Sequence, residues 1–175
     1  MSASHDNADP AHDARRPPGD DVLPPALRDG RPVICAVDDD DLAPTVLATA
    51  AMLARRLGVP LTVVHSPYPD VYVTGEPHRQ ALERGYAFID RLSESHPVDQ
   101  RVVEADDPAR LIMALAREGA SMIVLGTRGR TGLRAAILGS VSHAVLADAQ
   151  CPVVTVSALA APAVETPERA AAVAP

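Results

Sequence analysis

One stretch decides the fold of this chain: Ser121-Met-Ile-Val-Leu-Gly126-Thr-Arg-Gly129-Arg-Thr-Gly-Leu-Arg-Ala-Ala-Ile-Leu-Gly139-Ser140. It opens with a short apolar run rich in β-formers, which is typical of a buried strand, and continues as a loop punctuated by glycines. A helical segment over residues 141–148 follows, and Ser140 is placed to cap it. A strand, a glycine-rich loop and a helix N-terminus form an anion site, because unpaired backbone N–H groups point outward and the helix dipole favours negative charge.

The charges around this loop agree with an anionic ligand. Between Gly119 and Ala147 the chain has no Asp or Glu, but it has Arg128, Arg130 and Arg134. A local surplus of positive charge within a chain of net charge −7 indicates a ligand that carries phosphate. The alternative is that the glycines only form turns and the arginines only solvate the loop, since short glycine patterns often occur by chance.

Strand-like and helical segments alternate on both sides of this stretch. The predicted strands cover residues 32–37, 61–65, 98–104, 121–125 and 151–156. Four helices are predicted. The first follows an Asp cap at residue 40 or 41 and ends at about residue 57, and the second begins at residue 77. The third covers 108–119 after an Asp-Pro start, and the fourth covers 141–148. This order predicts an α/β fold with a single open, mainly parallel five-stranded sheet and helices on both faces, which is Rossmann-like.

Two of the predicted strand ends carry chemistry. The first strand ends at Asp38, and the fourth ends at Gly126. In parallel sheets of this kind, ligands bind beyond the carboxyl ends of the strands, at the point where the strand order reverses. If these two strands are neighbours, their ends therefore form one crevice.

The composition predicts one domain between two disordered ends. The chain has 175 residues, and residues 1–30 contain six Asp, five Pro and few large apolar side chains. Residues 157–175 are mostly Ala and Pro. Such segments bury too little apolar surface to offset the loss of conformational entropy, so the prediction is a disordered arm, a domain over 31–156 and a disordered tail.

Charge and hydropathy exclude several classes of protein. The acidic sequence pI of about 5.2 and the scarcity of aromatic residues, with no Trp, argue against nucleic acid as a partner. There is no apolar run of membrane length and no secretory signal pattern, so we expect a cytoplasmic protein. The chain has no Lys, which excludes a Walker-type phosphate loop and a lysine Schiff base. Cys35 and Cys151 are expected to be free thiols in the core.

With these motifs in place, residues 31 to 156 resemble a universal stress protein domain, whose fold belongs to the adenine-nucleotide α-hydrolase-like group. The loop reproduces that family's Gly-x2-Gly-x9-Gly-Ser pattern as Gly126, Gly129, Gly139 and Ser140. Further matches are Asp107-Pro-Ala before the third helix and Cys151-Pro-Val-Val at the last strand. Matches in several separate elements are more specific than the glycines alone.

The resemblance implies a cytosolic, usually dimeric protein of stress adaptation that binds ATP, with or without Mg²⁺. In the ATP-binding branch, the end of the first strand contacts adenosine, the end of the second contacts the base, and the loop and the following helix hold ribose and phosphates. Transferred to this chain, the binding residues are Ala36, Val37, Asp38, Val64, Gly126, Arg128, Gly129, Gly139, Ser140, Val141 and Ser142.

The chain departs from the family pattern directly after the first strand. The family often has small residues there, whereas this chain has Asp39, Asp40 and Asp41. Three extra carboxylates near a triphosphate repel it unless Mg²⁺ bridges them or they point to solvent. The run is otherwise a solvated helix cap.

No catalytic residue is predicted, and no group with metal-ligand spacing is found. His65 is expected to be a hydrogen-bonded structural residue, and Ser140 with His143 lacks the third, orienting acid of a nucleophilic triad. Binding is therefore the expected main event, with a regulatory role through nucleotide-dependent switching and at most slow ATP hydrolysis.

Two alternatives remain for the function. One is a dimeric interaction module of the same fold that binds no nucleotide. The other is a nucleotide-activating enzyme, although such enzymes usually carry Ser-Gly-Gly-x-Asp-Ser where this chain has its acidic run. A homodimer through residues 151–156 is expected, because an apolar edge strand invites pairing with a second copy; the other possibility is that the Ala- and Pro-rich tail covers this edge.

Overall fold

The computed structural model describes residues 29–67, 78–127 and 139–157. Almost all of the predicted arm and tail lie outside these residues, as does the segment that carries Arg128 and Gly129. Every predicted strand and helix has its counterpart in the described part of the chain. Of the helices in these ranges, none is both long enough and apolar enough to cross a membrane.

The sheet has five strands, and every pairing between them is parallel, which confirms the predicted fold class. The spatial order is β3-β2-β1-β4-β5. The strands are β1 (Val33–Ala36), β2 (Leu61–His65), β3 (Gln100–Val103), β4 (Met122–Gly126) and β5 (Val153–Val156). The third strand begins two residues later than predicted. Asp99, the residue before it, contacts the start of β2, where its Oδ2 accepts from the Leu61 amide at 2.8 Å.

Four helices connect the strands in the described residues. They are α1 (Ala43–Leu57), α2 (His78–Leu92), α3 (Pro108–Gly119) and α4 (Ser140–Asp148). Their limits follow the expected local chemistry: Gly58, at φ +67°, ends α1 in the left-handed conformation that glycine tolerates, and the Asp107 side chain accepts from the Arg110 amide at the start of α3.

Two predicted caps are wrong. The N-cap residue of α1 is Leu42 rather than Asp40 or Asp41, although Asp40 Oδ1 accepts from the amides of Leu42 and Ala43. The predicted cap of α4 is also misplaced. Ser140 is the first residue of α4, and Gly139 occupies the capping position in extended conformation. Because it is a glycine, Gly139 has no side chain with which to cap the helix. The reason is that the loop turns into the helix one residue earlier than the Ser motif suggests, so that the residue at the cap has no side-chain acceptor.

The helices cover the two faces of the sheet in pairs. On one face, α1 and α2 pack on alternate strand residues such as Cys35, Val63 and Val124. On the other, α3 and α4 pack on the intervening residues, among them Ile34 and Ile123. Both faces of the central strands are therefore buried, which explains why these strands are continuous apolar runs in the sequence.

The two cysteines are free thiols, as expected. Cys35 is fully buried in β1, and burial raises its pKa far above the usual value. Burial also raises the pKa of Cys151, which lies half-buried just before β5. A thiol whose pKa is raised has little thiolate at neutral pH, so neither side chain is suited to be a nucleophile.

Gly85 is required by the packing of α2 on the sheet. A Cβ atom at this position would lie 2.5 Å from Val103 Cγ1 and 3.3 Å from His65 Cδ2. The stiff valine side chain cannot easily move away from such a contact. The glycine therefore sets how closely α2 approaches β2 and β3.

We predict that Gly85→Ala lowers the free energy of unfolding by about 1–3 kcal/mol through overpacking. Helix propensity alone favours Ala over Gly by about 1 kcal/mol, so the expected effect has the opposite sign to propensity. Urea unfolding of the full chain measures it. In a Val103→Ala background, where the contacting methyl group is absent, the same substitution should cost less; a stabilising effect of Gly85→Ala alone would contradict the packing argument.

Candidate functional site

A cavity of about 420 Å³ opens at the carboxyl ends of β1, β2 and β4. The pairing of β1 with β4 brings Ala36 opposite Leu125, so the segments that follow the two strands leave the sheet side by side. The chain continues from β1 toward β2 and β3 on one side, and from β4 toward β5 on the other. The cavity therefore lies at the point where the strand order reverses, as predicted.

Most of the cavity wall is apolar. Ala43 and Val46 come from α1, Val64 from β2, Ile112 from α3 and Leu125 from β4. These side chains form a concave surface of a size and character typical of small-molecule sites. A flat, largely uncharged group such as an aromatic base would fit against it.

The remaining wall is the N-terminus of α4. The first helical hydrogen bond runs from the His143 amide to the Gly139 carbonyl, at 2.9 Å, so the amides of residues 140–142 have no partner within the helix. Gly139 at the cap supplies no side-chain acceptor. These amides and the positive end of the helix dipole thus remain available to an anion.

Backbone bonds hold this helix end against the sheet. The Gly139 amide donates to the Thr127 carbonyl at 3.0 Å, and the Thr127 amide donates to the Val156 carbonyl at 2.8 Å. Ser142, which is 3% exposed, donates its hydroxyl to the Gly126 carbonyl at 2.9 Å. The hydroxyl of Ser142 is therefore engaged within the protein, and its contribution to the wall is to fix α4 relative to the end of β4.

Two carboxylates, those of Asp38 and Asp40, also line the cavity. Asp38 Oδ1 accepts from the Asp39 amide at 2.9 Å, and Asp40 Oδ1 accepts from the amides of Leu42 and Ala43 at 2.9 and 3.0 Å. Asp40 is thus the acid that satisfies the first amides of α1. Burial raises its pKa, and the charges of Asp38 and Asp41 add to this, while the two amides lower it.

The four aspartates that follow β1 lie partly on the cavity wall and partly in solvent. Asp38 and Asp40 are half-buried on the wall, whereas Asp39 and Asp41 are exposed. Within the ranges that the structure describes, no group of three or more His, Cys, Asp or Glu side chains is arranged to hold a metal ion.

All the predicted binding residues that lie in the described ranges line this one cavity. Arg128 and Gly129 lie outside those ranges. Those brought together are Ala36, Val37, Asp38, Val64, Gly126, Gly139, Ser140, Val141 and Ser142.

Several lining residues were not predicted as part of the site: Asp40, Ala43, Val46, Ser66, Pro108, Ile112 and Leu125. Most of them come from the first turns of α1 and α3. The Asp-Pro start of α3 was recognised as a helix signal, and it could also have indicated a helix N-terminus at the same edge of the sheet.

His65 has a structural role, as expected. Its ring nitrogen Nδ1 lies 3.0 Å from the Val37 carbonyl oxygen, and its ring centroid is 4.8 Å from that of Phe88. The side chain is buried on the face covered by α2, away from the cavity wall. It therefore supports the end of β1 without facing the cavity.

With the fold and cavity described, comparison with known proteins identifies the family. The universal stress protein family matches residues 30–157, which is well over half of the chain. This chain belongs to the universal stress protein family. A universal stress protein of Mycobacterium tuberculosis is 35% identical over 132 residues, which cover 70% of this chain and 44% of that protein. The chain thus spans less than half the length of this mycobacterial relative.

Solved universal stress proteins share the fold. One from Archaeoglobus fulgidus is 31% identical, covers 71% of this chain and 97% of its own, and has a TM-score of 0.50. Another, determined in complex with cAMP, is 21% identical, covers 73% of this chain and 96% of its own, and has a TM-score of 0.51. The five-stranded sheet described above is therefore that of a universal stress protein.

We predict that Ser142→Ala lowers the free energy of unfolding by about 1–2 kcal/mol, because the Gly126 carbonyl loses its hydrogen-bond donor. Ser140→Ala is the matched control: this serine is exposed, no side-chain cap depends on it, and its replacement should change the stability by less than about 0.5 kcal/mol. Urea unfolding of the two variants compares them. Equal effects would show that the Ser142 bond does not fix α4 to the sheet.

Proposed function

We propose that this universal stress protein binds an adenine nucleotide, with ATP as the first candidate, in the cavity at the carboxyl ends of β1 and β4. One observation carries the proposal: the uncapped N-terminus of α4 opens on a cavity whose other walls are mostly apolar. Such a helix end favours phosphate, and the apolar wall suits a purine base. In this proposal the protein acts as a regulator through nucleotide binding rather than through catalysis. It hydrolyses ATP slowly at most.

Each predicted residue has a proposed part in this complex. The adenosine side comprises Ala36, Val37, Asp38 and Val64, where the Asp38 carboxylate accepts from a ribose hydroxyl or the adenine amino group. The ribose–phosphate side comprises Gly126, Arg128 and Gly129. The phosphate side comprises the residues around the start of α4, namely Gly139, Ser140, Val141 and Ser142.

The choice of ligands for the test follows from the relatives. A universal stress protein of the same fold was solved with cAMP, so cAMP, AMP and ATP are the nucleotides to compare. ATP should be tested with and without Mg²⁺, because a divalent cation reduces the repulsion between the phosphates and the two carboxylates on the wall. A cytoplasmic location fits this proposal, since ATP is available there.

A second candidate function is an interaction module that binds no nucleotide. The observation that favours it is the pair of carboxylates, Asp38 and Asp40, on the cavity wall, since both repel phosphate. Isothermal titration with Mg²⁺-ATP separates the two candidates. Heat of binding with one-to-one stoichiometry supports the nucleotide site, and its absence supports the module.

We predict that Gly139→Val weakens ATP binding by about tenfold or more, because a β-branched side chain obstructs the approach of phosphate to the free amides. The backbone of Gly139, at φ −62° and ψ 158°, suits any L-residue, so the fold should persist. Titration calorimetry measures the affinity, and urea unfolding checks the fold. Ala147→Val adds bulk to an exposed position of the same helix and serves as the control. Unchanged ATP affinity in folded Gly139→Val would refute the placement of the phosphates.

We also propose a homodimer through the edge strand that includes β5. The Ile123 amide donates to the Pro152 carbonyl and the Thr127 amide to the Val156 carbonyl, so Pro152 and Val156 direct their carbonyls toward β4. Because successive residues of a strand direct their backbone groups to opposite sides, the N–H of Thr155 faces the outer edge. That edge is free to pair with a second copy within the part of the chain that the structure describes.

We predict that the full chain has about twice its monomer mass of 18.3 kDa in light scattering and that Thr155→Pro dissociates it. Proline removes the outward N–H but leaves the bonds to β4, and edge strands tolerate it. Thr155→Val keeps the N–H and nearly the same shape, so it should remain dimeric. A monomeric parent chain, or a dimer that survives Thr155→Pro, would contradict this interface.

A further inference from the structure

Three helices begin at the cavity, and they differ in how their first amides are bonded. In α1 the Asp40 carboxylate accepts from two amides. In α3 the first residue is Pro108, which has no N–H, and the Asp107 carboxylate accepts from the Arg110 amide. In α4 no side chain does so. Within the part of the chain that the structure describes, the α4 end is therefore the one of the three without a carboxylate that accepts from its first amides.

The charge of Asp40 is fixed in place at the wall. Its Oδ1 is held by two amides at 2.9 and 3.0 Å, so the carboxylate cannot turn away to solvent without uncapping α1. Asp39 and Asp41, its neighbours in sequence, are exposed and do not line the cavity. A serine or asparagine would cap the helix equally well, so the negative charge is a property that capping does not require.

The cavity consequently has two ends of opposite electrostatic character. The α4 end attracts anions, and the α1 end, with Asp38 and Asp40, repels them. Because β1 and β4 are adjacent, the two ends are separated by roughly one strand spacing, about 4.8 Å, plus the turns that follow the strands. A ligand with one anionic end and one neutral, hydroxyl-bearing part matches this arrangement in a single orientation.

We propose that Asp40 is a specificity-determining residue of this pocket, which excludes a second anionic group from the α1 end and so restricts the ligands to nucleosides phosphorylated on the 5′ side alone. The inference rests on the proposed nucleotide function and refines it. With the 5′-phosphates at α4, the ribose hydroxyls reach toward the end of β1. A carboxylate there accepts hydrogen bonds from hydroxyls but repels a phosphate on the 2′ or 3′ oxygen.

The test compares AMP with adenosine 3′,5′-bisphosphate and adenosine 2′,5′-bisphosphate by titration calorimetry on the full chain. The parent protein should bind AMP more tightly than either bisphosphate. Asp40→Asn keeps an Oδ1 that can cap α1 and removes only the charge. It should reduce the preference for AMP over at least one bisphosphate by about tenfold. Asp41→Asn removes the same charge from the adjacent exposed position and should leave the preference unchanged; urea unfolding checks that both variants are folded.

The outcomes separate this inference from the function on which it rests. If the parent chain binds no adenine nucleotide, the proposed function fails and the inference fails with it. If AMP binds but the bisphosphates bind as tightly, or if Asp40→Asn keeps the full preference, the nucleotide site stands and the role of Asp40 is overturned. Equal shifts in Asp40→Asn and Asp41→Asn would also overturn it, because they would show a general effect of net charge. A shift confined to Asp40→Asn supports it.

Discussion

The parallel pairing of β1 with β4 is the constraint on which the rest of this structure depends. The chain leaves β1 toward one edge of the sheet and leaves β4 toward the other, so the described residues leave a gap between the carboxyl ends of these two strands. That gap becomes the cavity, and the first turns of α1, α3 and α4 are placed around it. The strands that create it are themselves held by burial on both faces, through Cys35 and Val124 on one side and Ile34 and Ile123 on the other.

Asp40 takes part both in the start of α1 and in the wall of the cavity. Its carboxylate supplies the acceptor that α1 needs, an interaction typically worth about 1 kcal/mol. Burial and the neighbouring charges of Asp38 and Asp41 oppose its ionisation, as the raised pKa shows. A neutral cap would avoid that opposition. Asp40 nevertheless accepts from the amides at the start of α1 and places a carboxylate on the cavity wall.

Short sequence patterns predicted those features of the fold that depend on interactions between residues close together in the chain. Apolar runs predicted four of the five strands, and weaker alternation predicted β3. Gly58 and Asp107 predicted where α1 ends and α3 begins, because these signals act within a few residues. The order of the strands depends on pairing between distant segments, which no local pattern specifies. The cap of α4 was predicted at Ser140 and lies at Gly139, because the position of a cap depends on where the preceding loop turns into the helix. Similarly, the Asp-Pro start predicted α3 without indicating that Ile112 of this helix borders a cavity.

The candidate site shows why membership of a family specifies the fold of a chain but not the ligand that the chain binds. The α4 end of the cavity presents backbone amides, which a glycine pattern can indicate whatever the neighbouring side chains are. Under the proposed function, discrimination among ligands would come instead from the side chains that line the cavity. In this chain the acidic run after β1 places the Asp40 carboxylate, which is held by two amides, on the wall of the same cavity. Two universal stress proteins with the same sheet can therefore present the same amides to a ligand and still prefer different nucleotides.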